Sequence, residues 1–380
     1  MKIAIPKERR SGERRVAASA ETVKKLVALG AQVEVETGAG LAADMPDQVF
    51  IDAGATIASH EGAVWHDADM ILKVQRPLDD EMALMKKGAV LVAMLQPLQQ
   101  RDQVKAYAAG GLTAFAMELM PRITRAQSMD VLSSQSNLAG YKAVLDGVQN
   151  FGRAMPMMMT PAGTIAPARV FIMGVGVAGL QAIATARRLG AVVTATDVRP
   201  ATKEQVESLG AKFIGVDDEE SRASQTAGGY AKPMSAEYQA KQAVLTAEHI
   251  KKQDIVITTA LIPGRPAPRL ITAEMVHSMR PGSVIIDLAV ERGGNVEGAK
   301  PGEIAVVGPA KIVGYLNVPG RLAASASALY AKNLYTFVET MIDKKEKTIA
   351  INWDDEIIKG TALTRDGAIV HPNFMPKTAA

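Results

Sequence analysis

The sequence has 380 residues, 48% of them hydrophobic, and its 43 basic and 40 acidic side chains leave a formal net charge of +3. This length exceeds what one hydrophobic core usually serves, so two domains are expected. The interspersed, nearly balanced charge argues against nucleic-acid binding, and the absence of cysteine excludes disulfides, thiolate metal sites and a cysteine nucleophile. The apolar runs are much shorter than the roughly 20 residues that cross a bilayer, and no signal peptide is recognisable, so we expect a cytoplasmic protein.

The first third of the sequence alternates short β-rich runs with helical patterns, which is typical of a parallel sheet with crossover helices. Strands are predicted at residues 3–5, near 33, and at 70–74, 90–95 and 112–116, and helices at 21–29, 81–86 and 103–108. These elements predict one α/β domain.

A proline- and methionine-rich stretch, AMPMMMTPAGTIAPAR, follows a helical pattern over 134–151 and marks a domain junction. We expect its methionines, Met155 and 157–159, to fill an irregular gap between the domains. A second alternation of strands and helices runs over 169–318. Another helical pattern, over 322–342, leads to a tail with strand character that is expected to rejoin the first domain.

The prediction is therefore an α/β protein with two Rossmann-like doubly wound domains, which have mainly parallel sheets and are joined by two long helices. The first domain comprises residues 1–134 and 322–380. The second domain, residues 135–321, is an insertion in the first.

The strongest motif lies in the second domain, in ARVFIMGVGVAGLQAIATARRLGAVVTATDVR. Gly174, Gly176 and Gly179 follow a predicted strand at GxGxxG spacing and open a predicted helix. In a dinucleotide-binding loop the first glycine permits a tight turn, the second lets the backbone approach a pyrophosphate, and the third lets helix and strand pack closely. Glycines at this spacing also occur in ordinary turns, so the neighbouring elements decide the interpretation.

Asp197 ends the next predicted strand, 23 positions after Gly174. The carboxylate that binds the ribose hydroxyls of NAD is expected at ~20 positions. An acid here disfavours the 2′-phosphate of NADP, whereas Arg199 is able to accommodate one. The sequence therefore favours NAD(H) as the cofactor and leaves the role of Arg199 open.

A proton donor is harder to find. Dehydrogenases of hydroxy or amino acids need a general acid or base, most often histidine. The five histidines lie in predicted helices, polar turns or the tail, and none follows a predicted strand end: His60, His66, His249, His277 and His371. Direct hydride exchange between two nicotinamide rings needs positioning rather than acid–base chemistry, so it fits this composition.

Several longer stretches, among them PKERRSGERRVA, MELMPRITRAQSMDVLSSQSNLAGYKAV, TATDVRPATKEQVESLGAKF and GSVIIDLAVERGGN, resemble the NAD(H)-binding component, domain I, of proton-translocating NAD(P) transhydrogenase. The resemblance implies a homodimer that docks on a membrane-spanning proton-channel component and exchanges hydride with NADP(H) bound on a third component. It implies a peripheral position on the cytoplasmic side of the bacterial inner membrane and solubility when isolated. No metal site is expected.

The resemblance also implies which residues form the site. In this family the loop before the inter-domain helix holds the nicotinamide and its ribose, and here its matching residues are Arg122, Gln127, Asp130 and Ser133. Gln127 is expected nearest the reacting ring, with Arg122 and Asp130 fixing the geometry. The alternative reading is that the segment caps the following helix through Asp130 or Ser133, and both roles can coexist.

The same family supplies further expected cofactor contacts. The polar stretch SQTAGGYAKPMS is longer than a usual connection and is expected to be a lid that closes over NAD, although it also fits a plain flexible loop. Leu261 follows the strand in VITTALIPG and matches a contact to the cofactor, unless it only packs in the core. The implied contacts besides the three glycines of the motif are Val177, Val198, Gly229, Tyr230, Gln242 and Leu261.

Alanine dehydrogenase is the main alternative, because the chain also resembles that family in PKE, RVA and KVQRP. There an arginine and a lysine, matching Arg15 and Lys73, hold the carboxylate of pyruvate. That family's histidine matches the segment MLQPL, where this chain has Gln96, so reductive amination would lack its proton donor. A protein that senses NAD(H) without catalysis is a third hypothesis.

Overall fold

The computed structural model describes residues 1–60, 62–199, 201–216 and 235–375. The chain forms two compact units. Unit 1 comprises Met1–Gln135 and Pro319–Ala380, and unit 2 comprises Ser136–Val318. Each unit contains a mainly parallel sheet with helices, which confirms the predicted α/β fold class. No helix in the described ranges has the length and apolar character of a membrane span.

The N-terminal part of unit 1 supplies six strands and four helices. The strands are β1 (Lys2–Ile5), β2 (Gln32–Glu36), β3 (Thr56–Ala58), β4 (Met70–Gln75), β5 (Val90–Met94) and β6 (Thr113–Ala116). The helices are α1 (Ala20–Ala28), α2 (Asp47–Ile51), α3 (Asp79–Met82) and α4 (Arg101–Ala109). The helix predicted at 81–86 is therefore a single turn that starts two residues earlier, because the Glu81 carboxylate accepts a hydrogen bond from the Leu78 amide at 2.8 Å and closes the turn there.

Unit 2 begins within α5 (Val131–Asn150), since the boundary between the units falls after Gln135. Its strands are β7 (Met158–Thr160), β8 (Gly163–Ile165), β9 (Arg169–Met173), β10 (Val192–Thr196), β11 (Lys212–Phe213), β12 (Ile255–Thr258), β13 (Ser283–Asp287), β14 (Ile304–Val307) and β15 (Ala310–Val313). Its other helices are α6 (Val177–Arg188), α7 (Thr202–Ser208), α8 (Ala236–Ile250) and α9 (Ala273–His277).

The main sheet of unit 2 has the order β11-β10-β9-β12-β13-β15-β14, and its strands are parallel except for β14. The chain winds from β9 to β10 and β11 on one side, and then crosses to β12 and β13 on the other. β9 therefore lies at the point where the winding direction reverses, paired with both β10 and β12. Ligands of doubly wound sheets bind beyond the carboxyl ends of the strands at such a point.

The methionine-rich junction folds differently from the prediction. β7 and β8 pair as a small antiparallel hairpin whose six residues are all exposed. Met157, Met158 and Met159 are 57%, 47% and 73% exposed, and Met155 alone of the group is buried, in the core of unit 2. The expectation that Met157, Met158 and Met159 fill a gap is wrong, because among the described residues β7 and β8 pair with each other and these three side chains are exposed.

The tail adds α10 (Ala323–Glu339), β16 (Ile342–Asp343), β17 (Thr348–Ile349), α11 (Glu356–Thr361), β18 (Ala362–Arg365) and β19 (Ala368–Ile369) to unit 1. β18 runs antiparallel to β6 and β19 pairs with β18, giving the eight-stranded order β19-β18-β6-β5-β4-β1-β2-β3. α10 buries Tyr330, Leu334 and Phe337 in the core beneath this sheet. The tail therefore rejoins the sheet that the first residues of the chain begin.

Candidate functional site

The glycine loop between β9 and α6 has the geometry that its spacing predicts. Gly174 has φ +100°, and a Cβ there would lie 2.5 Å from the Thr259 hydroxyl. At Gly179 a Cβ would lie 1.9 Å from the Gly174 carbonyl oxygen, so only glycine lets the helix approach the strand this closely. At Gly176 a Cβ would meet no atom of the residues that the structure describes within 4 Å. The space in front of Gly176 is therefore open to a ligand.

The first turn of α6 presents its amide groups at this opening. The helix begins at Val177 with Gly176 as N-cap, and no side-chain cap is found among the described residues. Uncapped amides at a helix start attract anions such as a pyrophosphate. Val177 and Val198, both expected contacts, are 40% and 41% exposed beside the loop and beside Asp197.

Gly140 is a residue of this region that sequence reasoning missed. It lies on α5, and a Cβ there would lie 2.0 Å from the Ala178 carbonyl oxygen. α5 therefore packs directly on the first turn of α6. An isolated glycine inside a helical pattern was the available signal for this close packing.

Asp197 follows β10 and is connected to the glycine loop. Its Oδ2 accepts a hydrogen bond from the Val175 amide at 2.7 Å. The Arg199 guanidinium donates to both carboxylate oxygens, Nε to Oδ1 and Nη2 to Oδ2, each at 2.8 Å, and the Arg199 amide donates to Oδ1 at 2.9 Å. The structure therefore brings Asp197 and Arg199 together as a bidentate ion pair.

Gln242 supports the end of β10 from helix α8. Its amide nitrogen donates to the Thr196 hydroxyl at 3.0 Å, and its carbonyl oxygen accepts from the Val216 amide at 3.2 Å. Both ends of this side chain are engaged within unit 2, next to Asp197. Two other expected contacts of the lid, Gly229 and Tyr230, lie outside the described residues.

The loop after β12 presents apolar side chains at the carboxyl edge of the sheet. Leu261 is 52% exposed and Ile262 45% exposed, so Leu261 is not a core residue. Asn295 holds the loop: its Oδ1 accepts from the Ala260 amide at 3.0 Å, and its Nδ2 donates to the Ala260 carbonyl at 2.9 Å. An exposed leucine on a braced loop is suited to cover one face of a flat ligand.

In unit 1 the segment with Arg122, Gln127 and Asp130 forms a 3-10 helix, Thr124–Met129, followed by α5. Ala126 and Met129 are buried, which leaves Arg122 and Gln127 on the exposed side. Asp130 acts as a helix cap: its Oδ1 accepts from the Ser133 amide at 2.9 Å and its Oδ2 from the Ser133 hydroxyl. The structure thus brings Asp130 and Ser133 together in the capping arrangement.

Two contacts that were not expected hold this segment in place. Arg125 forms a bidentate ion pair with Asp355, with N–O distances of 2.7 and 2.6 Å, which lowers the pKa of the Asp355 carboxyl below its ordinary value. Asn333 on α10 donates to the Ser128 carbonyl at 2.8 Å and accepts from the Ser134 hydroxyl at 2.8 Å. The exposed amide of Gln127 is therefore presented from a braced backbone.

Arg15 and Lys73, the pair that would hold a substrate carboxylate by analogy with alanine dehydrogenase, are almost wholly buried in unit 1. Arg15 donates from Nε and Nη2 to the Glu13 carboxylate at 2.8 and 2.7 Å. Lys73 Nζ lies 3.5 Å from Glu8 and 3.3 Å from Glu81. Burial raises the pKa of the Glu8 carboxyl above its ordinary value, although the positive charge of Lys73 lowers it in part. Both cations are thus engaged by carboxylates of the chain itself.

Gln96 lies beyond the carboxyl end of β5 with φ +53°. Its backbone amide and that of Leu95 donate to the Glu118 carboxylate, which shapes the turn.

His249 is half-buried on α8: one ring nitrogen lies 2.8 Å from the Thr194 hydroxyl, and burial lowers its pKa. Burial also lowers the pKa of His371, whose ring contacts the Gly360 carbonyl.

Two family models match the chain. The family model "Alanine dehydrogenase/PNT, N-terminal domain" matches residues 4–139, and "Alanine dehydrogenase/PNT, C-terminal domain" matches residues 143–372. A Rhodospirillum rubrum protein, named as the first portion of an NAD(P) transhydrogenase subunit alpha, is 62% identical over 377 residues, 98% of each chain.

The chain is also similar to solved structures of this family. A transhydrogenase from Sinorhizobium meliloti is 59% identical, with a TM-score of 0.89, over 97% of this chain and 100% of that one. An L-alanine dehydrogenase is 27% identical, with a TM-score of 0.81, over 98% of each chain. The chain therefore belongs to the alanine dehydrogenase/PNT family and, within it, to the NAD(P) transhydrogenase alpha subunits.

Proposed function

We propose that this chain is the NAD(H)-binding subunit of a proton-translocating transhydrogenase. In this proposal hydride passes directly between NADH on this subunit and NADP on a partner component, and the transfer is coupled to proton movement through a membrane-spanning partner. The observation that carries the proposal is the 62% identity, over 98% of each chain, to the NAD(P) transhydrogenase subunit alpha protein of Rhodospirillum rubrum.

The residues of unit 2 fit a dinucleotide. The open face of Gly176 and the uncapped amides of α6 suit a pyrophosphate, and Asp197 suits ribose hydroxyls. The exposed side chain of Leu261 supports a role in covering one face of the ring. The bound nucleotide supplies the nicotinamide ring that carries the hydride, and the protein supplies position.

In unit 1, Gln127 and Arg122 are proposed to hold the nicotinamide end of the nucleotide. The carboxamide of Gln127 is able to donate to and accept from the carboxamide of the ring. Asp130 fixes the backbone of this segment by capping α5. None of these residues needs to gain or lose a proton, which is consistent with direct exchange between two rings.

The proposal includes a homodimer, an NADP(H)-binding component and a membrane-spanning component, with this subunit peripheral on the cytoplasmic side of the bacterial inner membrane. The exposed hairpin β7–β8 supports a protein partner for unit 2. Met158 and Ile165 pair across the hairpin and are each 47% exposed, which places two apolar side chains together at the surface.

An alanine dehydrogenase-like activity is the second candidate, because Arg15 and Lys73 are retained and the fold matches an L-alanine dehydrogenase with a TM-score of 0.81. Against it, both cations are engaged by Glu13, Glu8 and Glu81, and Gln96 is not a proton donor at neutral pH. A binding protein without catalysis is the third candidate.

One assay separates the three candidates. The purified chain is mixed with NADH and a thionicotinamide analogue of NADP, with and without a membrane fraction that contains the other two components. The proposal predicts reduction of the analogue only with the membranes, and little pH dependence of the transfer step in stopped-flow records. Ammonium- and pyruvate-dependent oxidation of NADH by the chain alone would instead establish the dehydrogenase, and NADH binding without either reaction would establish a sensor.

A further inference from the structure

The carboxylate proposed to bind the nucleotide ribose is fully occupied by the protein itself. A carboxylate oxygen accepts about two hydrogen bonds, so Asp197 offers about four positions. Oδ1 accepts from the amide and Nε of Arg199, and Oδ2 accepts from the amide of Val175 and Nη2 of Arg199. All four positions are filled by donors at 2.7 to 2.9 Å.

Only two of these donors are able to leave. The Val175 and Arg199 amides belong to the backbone that forms the loop, whereas the Arg199 guanidinium is on a flexible side chain. That side chain is 26% exposed and the Asp197 side chain 7% exposed. Two ribose hydroxyls would make the same two contacts, one on each oxygen, that the guanidinium now makes.

We propose that the Arg199 guanidinium occupies the place of the two ribose hydroxyls on Asp197 and is displaced each time a nucleotide binds. This inference rests on the proposed function and deepens it, because it identifies the residue that sets how tightly the ribose is held. The free energy of breaking the ion pair is subtracted from nucleotide binding, so Arg199 weakens binding and favours release of the spent nucleotide.

The arrangement also bears on the choice between NAD(H) and NADP(H). A 2′-phosphate is mostly a dianion at neutral pH, so it is a poor donor to Asp197. The 3′-hydroxyl that remains replaces only one of the two guanidinium contacts. If Arg199 turned toward such a phosphate, it would leave the Asp197 carboxylate beside a second negative group. Arg199 on Asp197 therefore strengthens the preference for a free 2′-hydroxyl.

The test is calorimetric titration of wild-type chain and Arg199→Ala with NADH, ADP and 2′,3′-dideoxy-ADP. Arg188→Ala, which removes an exposed arginine from the far end of α6, is the charge-matched control. We expect Arg199→Ala to bind NADH and ADP about tenfold more tightly, as expected for removal of a partly exposed, charge-assisted pair. Binding of dideoxy-ADP, which has no hydroxyls for Asp197, should change far less.

Arg199→Lys keeps the positive charge but not the two parallel hydrogen bonds of the guanidinium, so it should tighten NADH binding by about threefold. This variant keeps the inference testable if Arg199→Ala does not fold. Unchanged or weaker NADH binding in folded Arg199→Ala would overturn the inference, as would an equal change for ADP and dideoxy-ADP. Failure of the wild-type chain to bind NADH or ADP would refute the proposed function, and this inference with it.

Discussion

Alanine substitutions in the glycine loop separate nucleotide binding from folding. At Gly176 the backbone is extended, with φ −82° and ψ −165°, and an added methyl group meets nothing within 4 Å. Alanine is a poorer N-cap than glycine, so Gly176→Ala should lower the free energy of unfolding by about 0.5 kcal/mol. In a domain of this size that lowers the melting temperature by about 1–2 °C.

Replacement of Gly179 by alanine should instead lower the stability of the fold. A methyl group there would lie 1.9 Å from the Gly174 carbonyl oxygen, so the helix and the loop must move apart. Overpacking of this kind costs about 1–3 kcal/mol, which lowers the melting temperature by about 2–12 °C. Gly152→Ala is the matched control, because its methyl group also meets nothing within 4 Å and Gly152 lies outside the loop.

Thermal melts and NADH titrations are measured on all three variants. Gly176→Ala should melt nearly with the control and yet bind NADH about 100-fold more weakly, a loss of about 2.7 kcal/mol, because the methyl group takes the place of the pyrophosphate. Wild-type affinity in a stably folded Gly176→Ala would show that the loop does not bind the phosphates.

Three further outcomes are expected. Asp130→Asn retains an oxygen that accepts from the Ser133 amide, so its melting temperature should stay within about 2 °C of wild type while transhydrogenation falls. Asp130→Ala should lose both stability and transhydrogenation, and wild-type activity in Asp130→Asn would contradict a role beyond capping. Leu261→Ala removes an exposed side chain, so stability should hold while NADH binding weakens by about fivefold, and an unchanged Kd would remove Leu261 from the site. Burial lowers the pKa of His249, so its contribution is present above the ordinary value of about 6.5 and is lost as the pH falls through the folded value; the melting temperature of wild type should fall relative to His249→Gln between pH 8 and pH 5, and a constant difference would contradict this.

Much of the fold follows from local patterns. The strands β9 and β12 are mainly apolar and β10 is rich in valine and threonine, while Gly174 and Asp197 follow the carboxyl ends of β9 and β10, so the switch point was predictable. The hairpin β7–β8 was not, because methionine is usually buried and nothing in the composition separates a core cluster from an exposed one. The folded structure pairs Met158 with Ile165 and leaves each side chain 47% exposed, which the sequence does not encode locally.

The candidate site was predictable in its residue types but not in its contacts. Spacing alone left Arg199 open between two roles, and only the folded structure places its guanidinium on Asp197. The contacts that brace Gln127 were hidden for another reason: Asn333 and Asp355 are distant in sequence and act through contacts that no local pattern encodes.

The ion pair between Arg125 and Asp355 has a consequence for biosynthesis. The two residues are separated by 230 positions, and at about 5–20 residues per second the ribosome needs about 10–50 s to pass from one to the other. Until the later residue emerges, the segment with Gln127 lacks this anchor, although the glycine loop has already been made. A nascent chain should therefore acquire the features that suit the phosphates before those that suit the ring.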